Sequence, residues 1–245
     1  MAGHSKWKNI MHKKAKTDAQ RAKVFTKIGK EMSVAIKEGG ADPNVNIKLR
    51  DLIAKAKSFN VPNDNIERVI KKASGGDDIN YENIVYEGYG PSGVAVIVEC
   101  MTDNRNRTSG DMRHYFDKYG GNLGATGCVT YLFSETGVIV INADSIDEDK
   151  FMEDTIEAGA TDFSREEGEE DGEYVFEVLT EPNQLLNVSA SLEKMGYKFL
   201  SSEVDKIPSV YVKLESEDDT AKMDKLIELL EDNDDVVNIW HNLEK

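Results

Sequence analysis

Residues 137–158 read GVIVINADSIDEDKFMEDTIEA, and the fold is decided by how this stretch and its surroundings are divided. Gly137–Ile141 is a short, β-branched apolar run, which predicts a strand. The pattern then changes to that of a helix near Asp147–Ala158. An acidic hairpin around Glu166–Glu173 leads to a strand at Tyr174–Leu179, a helix over Pro182–Met195 and a strand near Phe199–Val204. The order β-α-β-β-α-β predicts a ferredoxin-like sandwich.

Working outward, Ile84–Tyr86 and, more strongly, Val94–Cys100 read as strands. A helix over Ser109–Tyr119 follows, with Met112, Tyr115, Phe116 and Tyr119 at helical spacing. The glycine-rich run Gly120–Gly127 reads as a turn with left-handed backbone angles, leading to a strand near Val129–Phe133. Beyond an expected linker at Ile207-Pro208 lie a strand at Val210–Leu214, a helix over Asp219–Leu230 and a strand at Val236–Trp240. This tail is too short for a domain of its own, so it is expected to complete the middle one.

The first third is helical. One helix begins near Thr17, where Thr17 and Gln20 have capping-box spacing, and runs to Gly39-Gly40 with Val24, Phe25, Ile28, Met32, Ala35 and Ile36 at helical intervals. A second is expected over Asn44–Phe59, with Ile47, Leu49, Leu52, Ile53 and Ala56 turned wholly or partly inward. A third opens after Pro62, with Asp64 and Glu67 at capping spacing and Ile66, Val69 and Ile70 inward. The expected fold class is α+β in three domains. A helical bundle over 1–76 precedes a discontinuous α/β domain over 77–134 plus 208–245 and a ferredoxin-like α/β domain over 135–207.

The chain has 245 residues and a formal net charge of −16, but the charge is segregated. Residues 1–75 hold 17 Lys and Arg against 7 Asp and Glu, a net +10, and the remainder carries −26. Such asymmetry points to an acidic partner at the basic end. On a helical wheel Arg21, Val24, Phe25, Ile28, Met32 and Ala35 share one side of the first helix. Lys23, Lys27, Lys30 and Lys37, with Lys16 if the helix extends back to it, share the other, and are expected to form a ridge facing solvent. The plain alternative is a solvated lysine face. The preceding arm adds Lys6, Lys8, Lys13 and Lys14, with Asp18 the one acid before Arg21. A one-signed cluster of this kind suits phosphate neutralisation, so nucleic acid is the expected partner. Trp7 lies in this arm, where it either stacks on an unpaired base, wedges at a groove or docks back on the protein.

Arg105, Arg107 and Arg113 form a secondary basic group, for which pairing with nearby acids is favoured over phosphate contact. The acidic clusters Glu166–Glu173, Glu215–Asp219 and Glu231–Asp235 are expected to be solvated, and to confine nucleic acid to the basic end.

Enzymatic arrangements are missing. Gly120–Gly127 lacks the Gly-Lys-Ser/Thr ending of a phosphate loop. His4, His12, His114 and His241 have no metal-ligand spacing, and no Gly-x-Ser-x-Gly elbow occurs. Cys100 and Cys128 predict neither a disulfide framework nor a zinc site, and Cys100 reads as core. No catalytic residue, metal, cofactor or small-molecule substrate is expected. No run of residues is long and apolar enough for a membrane helix, and no secretory signal opens the chain, so a cytoplasmic protein with reduced thiols is expected.

Several motifs also resemble a known family. Met1-Ala-Gly-His-Ser-Lys-Trp-Lys-Asn-Ile10, followed by Lys13-Lys14, Asp18, Arg21 and Phe25-Thr-Lys27, is similar to the opening of the YebC/PmpR proteins. Asn60–Ile66, Tyr86-Glu-Gly-Tyr-Gly-Pro91, Thr102–Thr108, Gly120–Gly124, Asp234–Val236 and His241-Asn242 extend the resemblance along the whole chain. Lys8 and Cys128 stand where that family usually has alanine and serine. The resemblance implies a three-domain bacterial cytoplasmic protein without catalytic residues, a DNA-binding transcriptional regulator. It also implies a second possibility, a translation factor that binds ribosomal RNA and the ribosome through the same region, as mitochondrial relatives activate translation. The family's basic region falls here on Lys6, Trp7, Lys8, Lys13, Lys14, Arg21, Lys23 and Lys27. A protein-interaction scaffold with acidic surfaces is the remaining alternative.

Overall fold

The computed structural model describes residues 18–75, 80–167 and 173–244, and within these the side chains of all but 18–22 and 58. The expected capping box at Thr17 and the tip of the acidic hairpin therefore lie outside the described residues.

Helix α1 spans Asp18–Gly39 and buries Ile28, Met32, Ala35 and Ile36 along one stripe. It stops where Gly40 adopts φ of +85°, a left-handed angle that side chains disfavour. Helix α2 spans Ile47–Ser58 and starts later than expected because Asn46 caps it. The Asn46 side chain accepts the Leu49 N–H at 3.1 Å and donates to the Ala35 and Gly40 carbonyls at 2.7 and 2.8 Å. One buried amide thus starts α2 and ties it to α1. Ile47, expected inward, is 54% exposed, since the buried stripe is Leu49, Leu52 and Ala56. Helix α3 spans Asn63–Ser74 and buries Ile66. The expected Asp64–Glu67 capping box is not formed: Pro62 is the cap and no side chain bonds the first amides.

Strands β1 (Glu82–Tyr89) and β2 (Ala95–Thr102) form a hairpin. Helix α4 spans Arg105–Lys118 and starts before the expected Ser109, because Asn104 accepts the Arg107 N–H at 3.1 Å. Within the glycine-rich run the two-residue strand β3 (Asn122–Leu123) pairs with β1. The expected strand at Val129–Phe133 is instead a 3-10 turn at Thr130–Leu132 leading into β4 (Phe133–Asn142). Near the C-terminus, α7 (Glu217–Asp232) and β8 (Val236–His241) follow, and β8 lies antiparallel beside β2. The sheet order is β3-β1-β2-β8, with α4 and α7 packed against it. From α1 to Thr130, together with Leu214–His241, the chain forms one compact unit.

The second compact unit comprises Tyr131–Lys213 and the last residues of the chain. After β4 come α5 (Glu148–Ala158), β5 (Asp162–Glu167), β6 (Tyr174–Thr180), α6 (Leu185–Lys194) and β7 (Phe199–Pro208). The order β5-β6-β4-β7, antiparallel throughout, is ferredoxin-like. Phe151 of α5 stacks on Phe176 of β6 at 4.4 Å and meets Tyr197 edge-on at 5.0 Å. Ile139, Ile141, Val178, Val188 and Leu192 complete this core. The expected linker at Ile207-Pro208 is the end of β7, whose pairing with β4 continues through Pro208↔Phe133. The expected strand at Val210–Leu214 reduces to one bridge, Val212↔Leu243. The fold class is α+β.

Candidate nucleic-acid interface

Burying one stripe of α1 sends Lys23, Lys27, Lys30 and Lys37 to its other side, at helical spacing. These lysines do not face solvent as a free ridge. Lys23 Nζ lies 3.0 Å from the Asp232 carboxylate and donates to the Asp232 carbonyl at 3.2 Å. Lys27 donates to the Glu231 carbonyl at 2.6 Å. Lys30 donates to the Asp234 carbonyl at 2.9 Å and to the Asp235 carboxylate at 2.8 Å, and sits over the Tyr81 ring. Lys37, nearer the end of α1, donates to the Asn80 side chain at 3.3 Å.

The acceptors explain the docking. Glu231 and Asp232 end α7, where carbonyls have no partner within the helix and the helix dipole is negative. Three lysines of α1 therefore serve as the missing donors for that end and for the turn after it. The cluster Glu231–Asp235, expected to be solvated, is instead their partner, and Asp235 is 4% exposed.

Asp235 is the hub. Besides Lys30, its carboxylate accepts from Arg107 at 2.7 Å, the Thr108 hydroxyl at 2.8 Å and the Thr102 hydroxyl at 3.2 Å. Burial pushes its carboxyl up, but hydrogen bonds from Arg107, Lys30 and Thr108 outweigh burial and hold it at about 2. The early start of α4 is what delivers Arg107 and Thr108 to this point. Arg107 also pairs with Asp103 at 2.9 Å. Arg105 and Arg113 are exposed and make no ion pair among the described residues.

Of the other expected site residues, Lys6, Trp7, Lys8, Lys13, Lys14 and Lys16 lie outside the described residues, and Arg21 is on α1 with its side chain undescribed. Exposed Arg50, Lys57, Arg68 and Lys71 add positive charge on α2 and α3.

Sequence pattern alone missed Glu87. This residue of β1 is 3% exposed and takes N–H donors from Gly127 at 2.7 Å, Val129 at 3.0 Å and Thr130 at 2.9 Å. Burial raises its carboxyl, and the backbone hydrogen bonds from Gly127, Val129 and Thr130 lower it further than burial raises it. Gly127 presents its N–H with φ of +87°, and a side chain at Gly121 would run into the Tyr89 carbonyl. The glycine-rich run is thus a loop wrapped around a carboxylate of its own chain. A charged residue within an otherwise inward-facing strand motif, Tyr86-Glu-Gly-Tyr89, was the available signal.

Among the described residues no group of three or more His, Cys, Asp and Glu is placed to hold a metal ion. Cys100 is buried, and burial pushes its thiol up to about 12. No helix among the described residues is long and apolar enough to cross a membrane.

A three-helix bundle, an antiparallel sheet closed by the tail, and a ferredoxin-like unit define the class: an α+β protein with two four-stranded antiparallel sheets. Residues 5–76 match the family described as TACO1/YebC protein N-terminal domain, and residues 81–243 match the TACO1/YebC second and third domain. The chain belongs to the TACO1/YebC family. It is 56% identical to a protein of Caldicellulosiruptor bescii, covering 100% of this chain and 99% of that one. It is 54% identical to a protein of Acetivibrio thermocellus, covering 99% and 98%. Both relatives carry the name "Probable transcriptional regulatory protein". A crystal structure of a conserved hypothetical protein from Aquifex aeolicus matches with a TM-score of 0.83 and 44% identity, over 98% of this chain and 97% of that one.

Proposed function

We propose that this chain is a non-enzymatic, cytoplasmic regulator of gene expression that binds nucleic acid through its basic N-terminal region, with DNA as the target. The observation that carries this reading is the segregation of charge: a net +10 over residues 1–75 against −26 over the rest. The names of the relatives support a regulatory role. In this reading Lys6, Trp7, Lys8, Lys13, Lys14, Lys16 and Arg21 meet nucleic acid first, and Lys23, Lys27 and Lys30 extend the surface along α1. Arg105 and Arg113 are secondary contacts. Residues 1–76 act as the binding domain, and 77–134 plus 208–245 and 135–207 form the two parts of the acidic body.

The test is salt-dependent binding of the intact chain and of a chain lacking residues 1–16, to duplex DNA and to ribosomes. The expected result is DNA binding that weakens steeply with salt and is largely lost on deletion. Ribosome association with weak, sequence-blind DNA binding would transfer the reading to translation. Binding unchanged by the deletion would overturn the role of the N-terminal region.

A further inference from the structure

The contacts of α1 carry an inference that rests on the proposed function and deepens it. We propose that the segment Glu231–Asp235 occupies Lys23, Lys27 and Lys30 in place of a nucleic-acid backbone, so that nucleic acid must displace this segment to use α1.

The segment offers these lysines what a nucleic-acid strand offers: a row of anionic or carbonyl oxygens at hydrogen-bonding distance. Lys23 meets Asp232, Lys27 meets the Glu231 carbonyl, and Lys30 meets Asp234 and Asp235. The lysines follow one another along α1 at intervals of four and three residues, which is roughly 6 and 4.5 Å of axial rise. Successive phosphates along a strand are separated by a comparable distance, so one row of donors serves either partner. The contacts are graded in strength. The Lys23 and Asp232 side chains are 39% and 47% exposed and so readily exchanged, whereas the side chains of Lys30 and Asp235 are 13% and 6% exposed. Displacement therefore starts at the Lys23 end, which is also the end nearer in sequence to the lysines of residues 1–16, and proceeds toward the hub. A ligand that gains lysines only in an opened form binds with an apparent affinity reduced by the fraction that is open.

The experiment uses the full chain and a short fluorescent duplex DNA over a salt series. Asp232→Asn leaves the fold's buried contacts intact and loosens the exposed end, and Asp235→Asn loosens the hub. Glu217→Gln, at the opposite end of α7, controls for the loss of one negative charge. Asp232→Asn and Asp235→Asn are expected to bind about tenfold more tightly than Glu217→Gln at low salt. Their salt slopes are each expected to be steeper by about one, for the one lysine each substitution releases. A second arm holds the segment down. Lys23→Cys with Asp232→Cys, bridged by a short bis-maleimide, is compared with the same protein carrying separately capped thiols, and the bridged form is expected to bind more weakly. If Asp232→Asn and Asp235→Asn behave as Glu217→Gln does, and bridging changes nothing, the displacement mechanism is wrong while the proposed function stands. If no form binds nucleic acid, both fall. If only the loosened variants bind, the segment is the barrier.

Discussion

Replacing Asp235 by asparagine keeps its size and removes its charge, which isolates what the carboxylate contributes. In the folded chain that carboxyl is held at about 2, against about 3.9 for an aspartate in an unfolded chain. The difference corresponds to about 2.6 kcal/mol of stability at neutral pH. Arg107 is 48% exposed, so solvent screens its share, and about 2 kcal/mol is the working figure. Because the folded value is depressed, this stability is fully present above about pH 5. It is lost as pH falls through the unfolded value toward the folded one, and about half is gone by pH 3. The assay is urea denaturation of the wild type and of Asp235→Asn at several pH values from 7 down to about 3. In a Trp7→Phe background the emission reports Trp240, on β8 of the same unit as Asp235. The stability gap between the two proteins should be about 2 kcal/mol at pH 7 and close to half that at pH 3. A gap that is constant across this range would refute the reasoning, because it would mean that the carboxylate's charge is not what Lys30, Arg107 and the two threonines hold.

Two further substitutions test separate contacts, the caged carboxylate of β1 and the aromatic core of the ferredoxin-like unit. Glu87→Gln sets an amide N–H₂ against backbone N–H groups of the loop, and is expected to cost about 1–3 kcal/mol. Hydrogen exchange should quicken at Gly127, Val129 and Thr130 in particular, and unchanged protection at these three amides would contradict the caged-carboxylate account. Phe151→Ala removes the ring stacked on Phe176 and is expected to cost about 3–5 kcal/mol. Thermal unfolding followed by near-ultraviolet dichroism should show that loss in the ferredoxin-like unit, and a melting temperature within a degree or so of wild type would contradict it.

The ferredoxin-like unit was legible because its strands and helices alternate with clear changes of period and its sheet faces are strongly apolar. What failed there was boundary placement. Pro208 ends β7 in an edge position, where a missing N–H costs little, so a residue that reads as a linker is the last rung of a ladder. In the first unit the errors have a shared cause, which is side chains that bond to backbone. Asn104 starts α4 four residues early, Asn46 starts α2 late, and Glu87 holds Val129 and Thr130 out of a strand. Each is a polar residue whose partner cannot be inferred from periodicity.

The lysine face shows the same limit at the scale of the candidate site. A helical wheel ranks residues by direction, and it correctly separated Lys23, Lys27 and Lys30 from the stripe of Ile28, Met32 and Ala35. It says nothing about what stands opposite the polar direction. Here the partners are more than 200 residues away in sequence. They also lay in a segment whose own composition, Glu-Asp-Asn-Asp-Asp, reads as solvated. Two segments of opposite charge, each unremarkable as a surface, can be read together only once α7 and β8 are seen to return to the first sheet. That return turns a net charge of −16, which at first argues against a nucleic-acid partner, into a competitor for the basic surface held within the same chain. The exposed Lys23–Asp232 pair contributes about 0–1 kcal/mol, so the competitor is weak at that end and firmer toward Asp235. A single phosphate cannot replace all three contacts at once, whereas a strand of phosphates releases its counterions with each lysine it gains. On the proposed displacement mechanism, the docked segment would hold against small anions and yield to a polyanion.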